Sequence, residues 1–310
     1  MSFPVFDLHC DTALALLGED MNSAGSLRKN DYHIDLERAK ELPGYCQCFA
    51  CFTTPMMEDW HKTSPVVIFE REIATIQREL DKNKKLMGIA YSMDDVRKNA
   101  EKGKMSAILT IEGTAGFGHD PDLLEDLYAI GFRISTLGWN EHNPLAGSHK
   151  TGGGLTDRGR EYVKEAQRLG ILVDVSHISD EAFWDIMDIT EKPVIASHSN
   201  SRSVCPVSRN LTDDMIRALA DKGGVSGLNF CGNFLNSDIG CEDSRAESIV
   251  DHILHFINVG GSDCVGLGSD LDGIGGNLEV GSSDRIPLLF DLLSRRGVSD
   301  DIIEKIAWKN

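Results

Sequence analysis

The run Val5-Phe6-Asp7-Leu8-His9-Cys10-Asp11 decides how this chain is read. A short, mostly apolar stretch of strand-forming character ends in a histidine and an aspartate two positions apart. Side chains two apart on an extended strand point the same way, so both can reach one point in space. The same grammar recurs along the chain. Glu112 follows Ala107-Ile108-Leu109-Thr110-Ile111, His177 follows Leu172-Val173-Asp174-Val175, His198 follows Val194-Ile195-Ala196, and Asp270 follows Val265-Gly266-Leu267-Gly268. Metal-binding or acid/base side chains sit at the C-terminal edge of one apolar run after another.

Strands expected at residues 4 to 9, 46 to 53, 106 to 112, 132 to 137, 171 to 176, 193 to 198, 224 to 230 and 264 to 270 alternate with helical patterns, the signature of a parallel sheet. Phe69, Ile73, Ile76 and Leu80 recur at helical spacing after the second strand. Further helices are expected from about Asp157 to Leu169, from Thr212 to Lys222 and from Ala246 to Val259, each followed by a glycine stop. Leu86-Met87-Gly88-Ile89-Ala90 reads as an extra strand outside the main set. Eight strands with intervening helices predict an α/β fold of the (β/α)8 barrel (TIM barrel) type, in which strand ends far apart in sequence converge on one mouth. The 310 residues, 41% of them hydrophobic, suit a single barrel domain over 1–310, and neither a repeat nor a Pro-rich linker suggests a boundary.

The 31 basic and 49 acidic residues leave a net charge of −18, which disfavours nucleic acid and anionic membrane as partners. With no apolar segment of membrane-spanning length and no basic-then-apolar leader, a cytoplasmic location is the expectation. Cys46, Cys48 and Cys51 invite a zinc-knuckle reading. They fall in a strand that puts the first two on one face and the third on the other, so buried, reduced thiols are expected.

The polar strand ends carry the chemistry. His9 and Asp11 can share a cation, and His177 and His198 can offer two neutral imidazoles to another. Glu112, flanked by apolar residues, is costly to bury without a partner, which a metal, or better two metals sharing its carboxylate as a bridge, supplies. Gly152-Gly153-Gly154 lacks the context of a phosphate loop and reads as a flexible connection near the mouth. Asp272 either orients Asp270 or is a surface carboxylate.

Asp7-Leu8-His9-Cys10-Asp11-Thr12, Ile111-Glu112-Gly113, Asp174-Val175-Ser176-His177, Ser197-His198-Ser199-Asn200, Ser208-Arg209-Asn210-Leu211-Thr212-Asp213 and Gly268-Ser269-Asp270-Leu271-Asp272-Gly273 together resemble the renal or membrane dipeptidase family, zinc-dependent members of the amidohydrolase superfamily. The resemblance runs from Phe6 almost to the last residue. It implies two zinc ions per chain, His9 and Asp11 on one, His177 and His198 on the other, and Glu112 bridging as part of the catalytic centre. It further implies that Asp270 handles the proton of the hydrolytic water, that Arg209 grips the substrate's terminal carboxylate, and that the protein cleaves dipeptides, including ones with a C-terminal D-residue, as a homodimer. Trp139 stands where many members place a substrate-contacting histidine, with His142 three residues later. Ile306-Ala307-Trp308-Lys309-Asn310 stops where the family continues through a final helix, so trimming there is expected.

Other readings stay open. Deaminases, lactonases and phosphotriesterases of the superfamily often use His-x-His and a carboxylated lysine where this chain has His-x-Asp and Glu112. A metal-binding scaffold would have no use for Asp270. Arg209 could also be a surface cation or a partner of Asp213 or Asp214.

Overall fold

The ends of the strands, and the glycines and caps between them, place the mouth. The computed structural model describes residues 3–22, 25–238 and 240–310. Among these the strands are β1 (Val5–Cys10), β2 (Tyr45–Phe52), β3 (Met87–Ile89), β4 (Met105–Glu112), β5 (Phe132–Thr136), β6 (Leu172–Asp174), β7 (Ser226–Leu228), β8 (Asp243–Ser244), β9 (Val265–Leu267) and β10 (Asn277–Leu278). Parallel pairing runs in the order β6-β5-β4-β2-β1-β9-β7. The segment around Ile195 and Ala196 closes the ring through parallel bridges, Asp174 to Ile195 and Ala196 to Ser226. The staves therefore follow the eight expected strands, with the sixth reduced to bridges. The extra strand expected at residues 86 to 90 is β3, paired with the start of β4.

Every residue of β2 and β4 is buried, as strands covered on both faces must be. Alternation divides them as the sequence suggests. Cys46, Cys48 and Ile108 join Ile134 and Ile195 inside the barrel, while Phe49, Cys51, Leu109 and Ile111 pack toward the helices. The thiols of β2 are free and buried.

The helices start and stop by local chemistry. Helix Pro65–Lys82 has Ser64 as its cap, whose Oγ accepts from Val67 N, and a proline in its first turn. Thr156 caps Asp157–Leu169, and Gly170 ends it in the left-handed region at φ +87°, where a side chain would be strained. Thr212 caps Asp213–Asp221, and Ala246–Gly260 runs one residue beyond its expected end. At the mouth, β8 and β10 pair in parallel and tie the loop after β7 to the loop after β9. No helix among the described residues is long and apolar enough to cross a membrane.

Candidate active site

Five elements deliver the predicted side chains to one point. His9 closes β1, Glu112 closes β4, and His177, His198 and Asp270 lie just past β6, the 195–196 stave and β9. Glu112 is the hub: Oε2 lies 3.2 Å from His9 Nε2, and Oε1 lies 3.0 Å from His177 Nε2 and 3.6 Å from His198 Nε2. His9 Nε2 is also 3.7 Å from Asp11 Oδ2 and 3.8 Å from Asp270 Oδ1. His9 and Asp11 meet for a reason other than simple strand alternation. The pairing register of β1 shifts between Asp7 and Cys10, and Asp11 already opens the next helix.

Backbone strain is concentrated here. His177, Asp270 and Asp272 adopt φ of +68°, +61° and +70°, conformations that cost a non-glycine residue about 1 to 3 kcal/mol each. Gly273 is required by close approach, since a Cβ there would stand 1.9 Å from Asp11 Oδ2. Asp272 is not a free surface carboxylate: it accepts from Thr12 Oγ1 (2.5 Å) and from His33 N (2.6 Å), pinning the loop before residue 36 to the mouth. The Gly152–Gly154 connection is likewise hydrogen-bonded in place, with Ser179 Oγ donating to Gly153 O.

Two buried aspartates inside the strands brace the histidines. Asp174 accepts from Ser176 N and Ser197 N, both at 2.9 Å, and from Ser197 Oγ. Ser197 Oγ, its proton committed to Asp174, accepts from His198 Nδ1 at 2.7 Å. Asp7 accepts from Ser269 N (2.8 Å), Ser269 Oγ (2.5 Å) and His9 N (3.3 Å). Sequence reasoning passed over these two, although an aspartate amid apolar strand residues is itself a signal, because its burial is costly without such partners.

Charge in the cluster is unevenly settled. Burial works against the Glu112 anion, but the His9 charge together with the contacts of His177, His198 and His9 holds the carboxyl well below its ordinary range. Burial likewise works against charged His9, and Glu112 and Asp11 overcome it, raising the imidazole well above its usual value. Burial raises Asp11 strongly, and the Glu112 charge adds to it. Burial, with Arg209 adding to it, pushes His177 down to about 3, and burial with the His9 charge takes His198 well below its usual value.

These atoms fit divalent metal. With Nδ1 of both His177 and His198 donating outward, their two Nε2 lone pairs face each other at 2.9 Å and face Glu112 with no proton between them. His9 Nε2 and Asp11 Oδ1 are buried without a hydrogen-bond partner. Donor atoms lie within 4.8 Å of one another in the triads His9/Asp11/Glu112, Glu112/His177/His198 and His9/His198/Asp270. Imidazole nitrogen and carboxylate oxygen are the donor set of zinc sites, and Glu112 belongs to two of these triads.

A cavity of about 350 Å³ opens over the cluster, lined by Asp11, Glu112, His177 and Asp270 on its polar side and by Leu14, Phe52, Trp139, Phe234 and Ile274 on its apolar side. A larger cavity of about 440 Å³ lies among Phe6, Leu8, Ile134 and Ile195, where no cluster of titratable groups stands. Trp139 is thus in the mouth, packed edge-on against Phe52 and Trp60. His142 is exposed. Asp270 accepts from Asn229 Nδ2 at 2.8 Å, and burial raises its carboxyl above the ordinary value.

Arg209 is neither a surface cation nor a partner of Asp213 or Asp214. It is 4% exposed, Asp213 pairs with His255, and Asp214 pairs with Arg217. Its Nη1 donates to Ser199 Oγ (2.6 Å) and Nη2 to His198 O (2.9 Å), while Nε is buried without a partner. The guanidinium does not itself line the cavity; it lies 5.8 Å from the ring of Phe234, which does.

A family model described as membrane dipeptidase (peptidase family M19) matches residues 1–310. An uncharacterised protein encoded in the pqqA 5′ region of Klebsiella pneumoniae is 35% identical, the match covering 79% of this chain and 94% of that protein. An uncharacterised dipeptidase of Schizosaccharomyces pombe is 31% identical over 90% of this chain and 70% of its own length. The crystal structure of a metallopeptidase from Rhodobacter sphaeroides, liganded with a phosphinate mimic of the dipeptide L-Ala-D-Ala, superposes with a TM-score of 0.87 at 27% identity, covering 100% of this chain and 97% of that one.

Proposed function

The chain belongs to the membrane dipeptidase family and is a metallodipeptidase, and from that premise we propose that it cleaves dipeptides, including those with a C-terminal D-residue, at a centre of two zinc ions. The observation that carries this reading is the shared position of Glu112, whose two carboxylate oxygens face His9 on one side and His177 with His198 on the other. His9 and Asp11 would hold one ion, His177 and His198 the second, and Glu112 both. When bound, zinc supplies Lewis acidity toward the scissile carbonyl and lowers the pKa of water toward neutrality.

The remaining work falls to side chains. Asp270, oriented by Asn229 and raised by burial, takes the proton of the attacking water and returns it to the leaving amine. Arg209 has an unsatisfied buried Nε–H, and its other donors go to Ser199 Oγ and His198 O, so the terminal carboxylate of a substrate meets an open donor. Phe234, 5.8 Å from the guanidinium, lines the cavity beside it. A clamp on the C-terminus restricts substrates to short peptides, because it fixes the distance to the scissile bond. Trp139 and Phe52 supply an apolar wall for a substrate side chain.

Kinetics on matched dipeptides and dipeptide amides test the substrate class. A charge-assisted contact of about 2 to 4 kcal/mol predicts that Arg209→Ala lowers kcat/KM for dipeptides by roughly 30-fold to 1000-fold. The amides, lacking the carboxylate, should lose almost nothing further. Equal losses for both substrate types would remove Arg209 from the carboxylate site.

A further inference from the structure

We propose that Asn140 is a positioning residue that holds His177 in the tautomer presenting a bare Nε2 to the metal centre, and that His149 and Ser208 carry this constraint to the segment bearing Arg209. The inference rests on the reading of His177 as a metal ligand. Asn140 Oδ1 lies 3.0 Å from His177 Nδ1 and 2.8 Å from His149 Nε2. A carboxamide oxygen only accepts, and it has two lone pairs, so both rings must be the donors. His177 then carries its proton on Nδ1, and Nε2, 3.0 Å from Glu112 Oε1, is left without one. His149, with its proton on Nε2, offers a bare Nδ1 that accepts from Ser208 Oγ at 3.0 Å. One carboxamide thus fixes two imidazoles in opposite tautomers.

The loop that holds Asn140 is itself locked against the segment that holds His177. Ser148 Oγ donates to Asn140 O (2.8 Å), His149 N donates to His177 O (2.8 Å), and Ser148 forms an antiparallel bridge with Ile178. These contacts hold the backbone of Asn140 beside the His177 segment. On the other half of the pair Ser197 does the same work for His198, so each of the two histidines has one outward acceptor. Orienting partners of this kind commonly change metal affinity 10-fold to 100-fold.

The test uses the full chain titrated with zinc against a chelating indicator, together with nitrogen NMR of 15N-histidine-labelled protein, which reports imidazole tautomers. Parent protein is expected to take up two ions and to show His177 protonated at Nδ1. Asn140→Ala should weaken one binding event 10-fold to 100-fold, leave the other near its parental value, and turn the His177 signal into a tautomer mixture. Asn140→Asp, which keeps an acceptor oxygen, should restore both. His149→Phe should raise KM for dipeptides with little change in kcat, and an unchanged KM would remove the arm through Ser208. If the parent binds no zinc, the two-zinc reading fails, while the NMR comparison still decides the role of Asn140. Parental affinity at both sites with an unchanged His177 tautomer in Asn140→Ala overturns the proposal.

Discussion

The two halves of the metal cluster are built from similar parts and finished differently. On one side, His177 and His198 are neutral, each ring is anchored outward through Nδ1, and Asp174 braces the serine behind His198. On the other, the carboxylates around His9 raise its imidazole against the effect of burial, Asp11 is pushed up by burial and by Glu112, and one polar atom on each lacks a partner. The backbone around His9 is well braced, because Asp7 and Ser269 clamp it. Its ligand atoms are not. One half is preorganised by the protein, and the other is completed by the ion.

Metal removal should therefore produce the largest effect and an uneven one. With free zinc a thousandfold above its dissociation constant, binding adds about 4 kcal/mol to the unfolding free energy, which a chelator should abolish. Chemical denaturation measures the loss, and hydrogen exchange locates it: the segment from His9 to Thr12 should gain exchange more than residues 174 to 179. Equal gains in both would break the comparison.

Next in size is the proposed proton shuttle, Asp270, which borders the unfinished half. Asp270→Asn should keep metal binding yet cut turnover about 100-fold or more, the common scale for a positioned acid or base. Near-normal turnover would move the proton to another group, with Glu141 next in line. That carboxyl is raised by burial and receives Thr54 Oγ1 at 3.0 Å.

The smallest effect sharpens the preorganised side. The loop beyond His198 is tied down by Ser201 N donating to His252 Nδ1 (3.0 Å), while His252 Nε2 donates to Leu235 O (3.1 Å). Burial lowers His252 to about 4, so the unfolded chain, with its imidazole near 6.5, binds the extra proton first as pH falls. Stability from this group is complete above pH 6.5 and is lost progressively down to about 4, amounting to about 2 kcal/mol by pH 5. Denaturation of metal-free parent and His252→Gln between pH 7 and 5 should show this slope only in the parent; parallel slopes would assign the acid sensitivity elsewhere.

The sequence foretells the staves and the polar side chains that meet at their ends because both depend on short-range pattern. Apolar runs with a polar terminus are visible within about ten residues, and parallel strands in a barrel bring those termini together whatever the intervening loops do. The sixth stave shows the limit: Val194 to Ala196 looks like its neighbours in sequence, yet forms only bridges, because its ladder depends on register with β6 and β7. Asn140 is hidden for a related reason. It stands 37 residues from His177, on a loop whose path no periodicity announces. The surroundings of Arg209 depend on Phe234, two loops away, and on which of several acidic neighbours find closer partners. Asp7 and Asp174 were readable in principle, since each interrupts an apolar strand that gives it no other way to be satisfied.

The closure of the ring has a consequence for how the protein comes into being. β1 pairs with β9, and Asp7 receives the hydroxyl and amide of Ser269, a residue 262 positions away. At a synthesis rate of about 5 to 20 residues per second, the first strand waits roughly 10 to 50 s on the ribosome before that neighbour exists. Throughout that interval one edge of β1 is open, with Asp7 unclamped and the turn of His9 and Asp11 unsupported. The nascent chain thus carries His9 and Asp11 in their least protected form, and a ribosome stalled before residue 265 would leave an adhesive strand edge and an unassembled cluster.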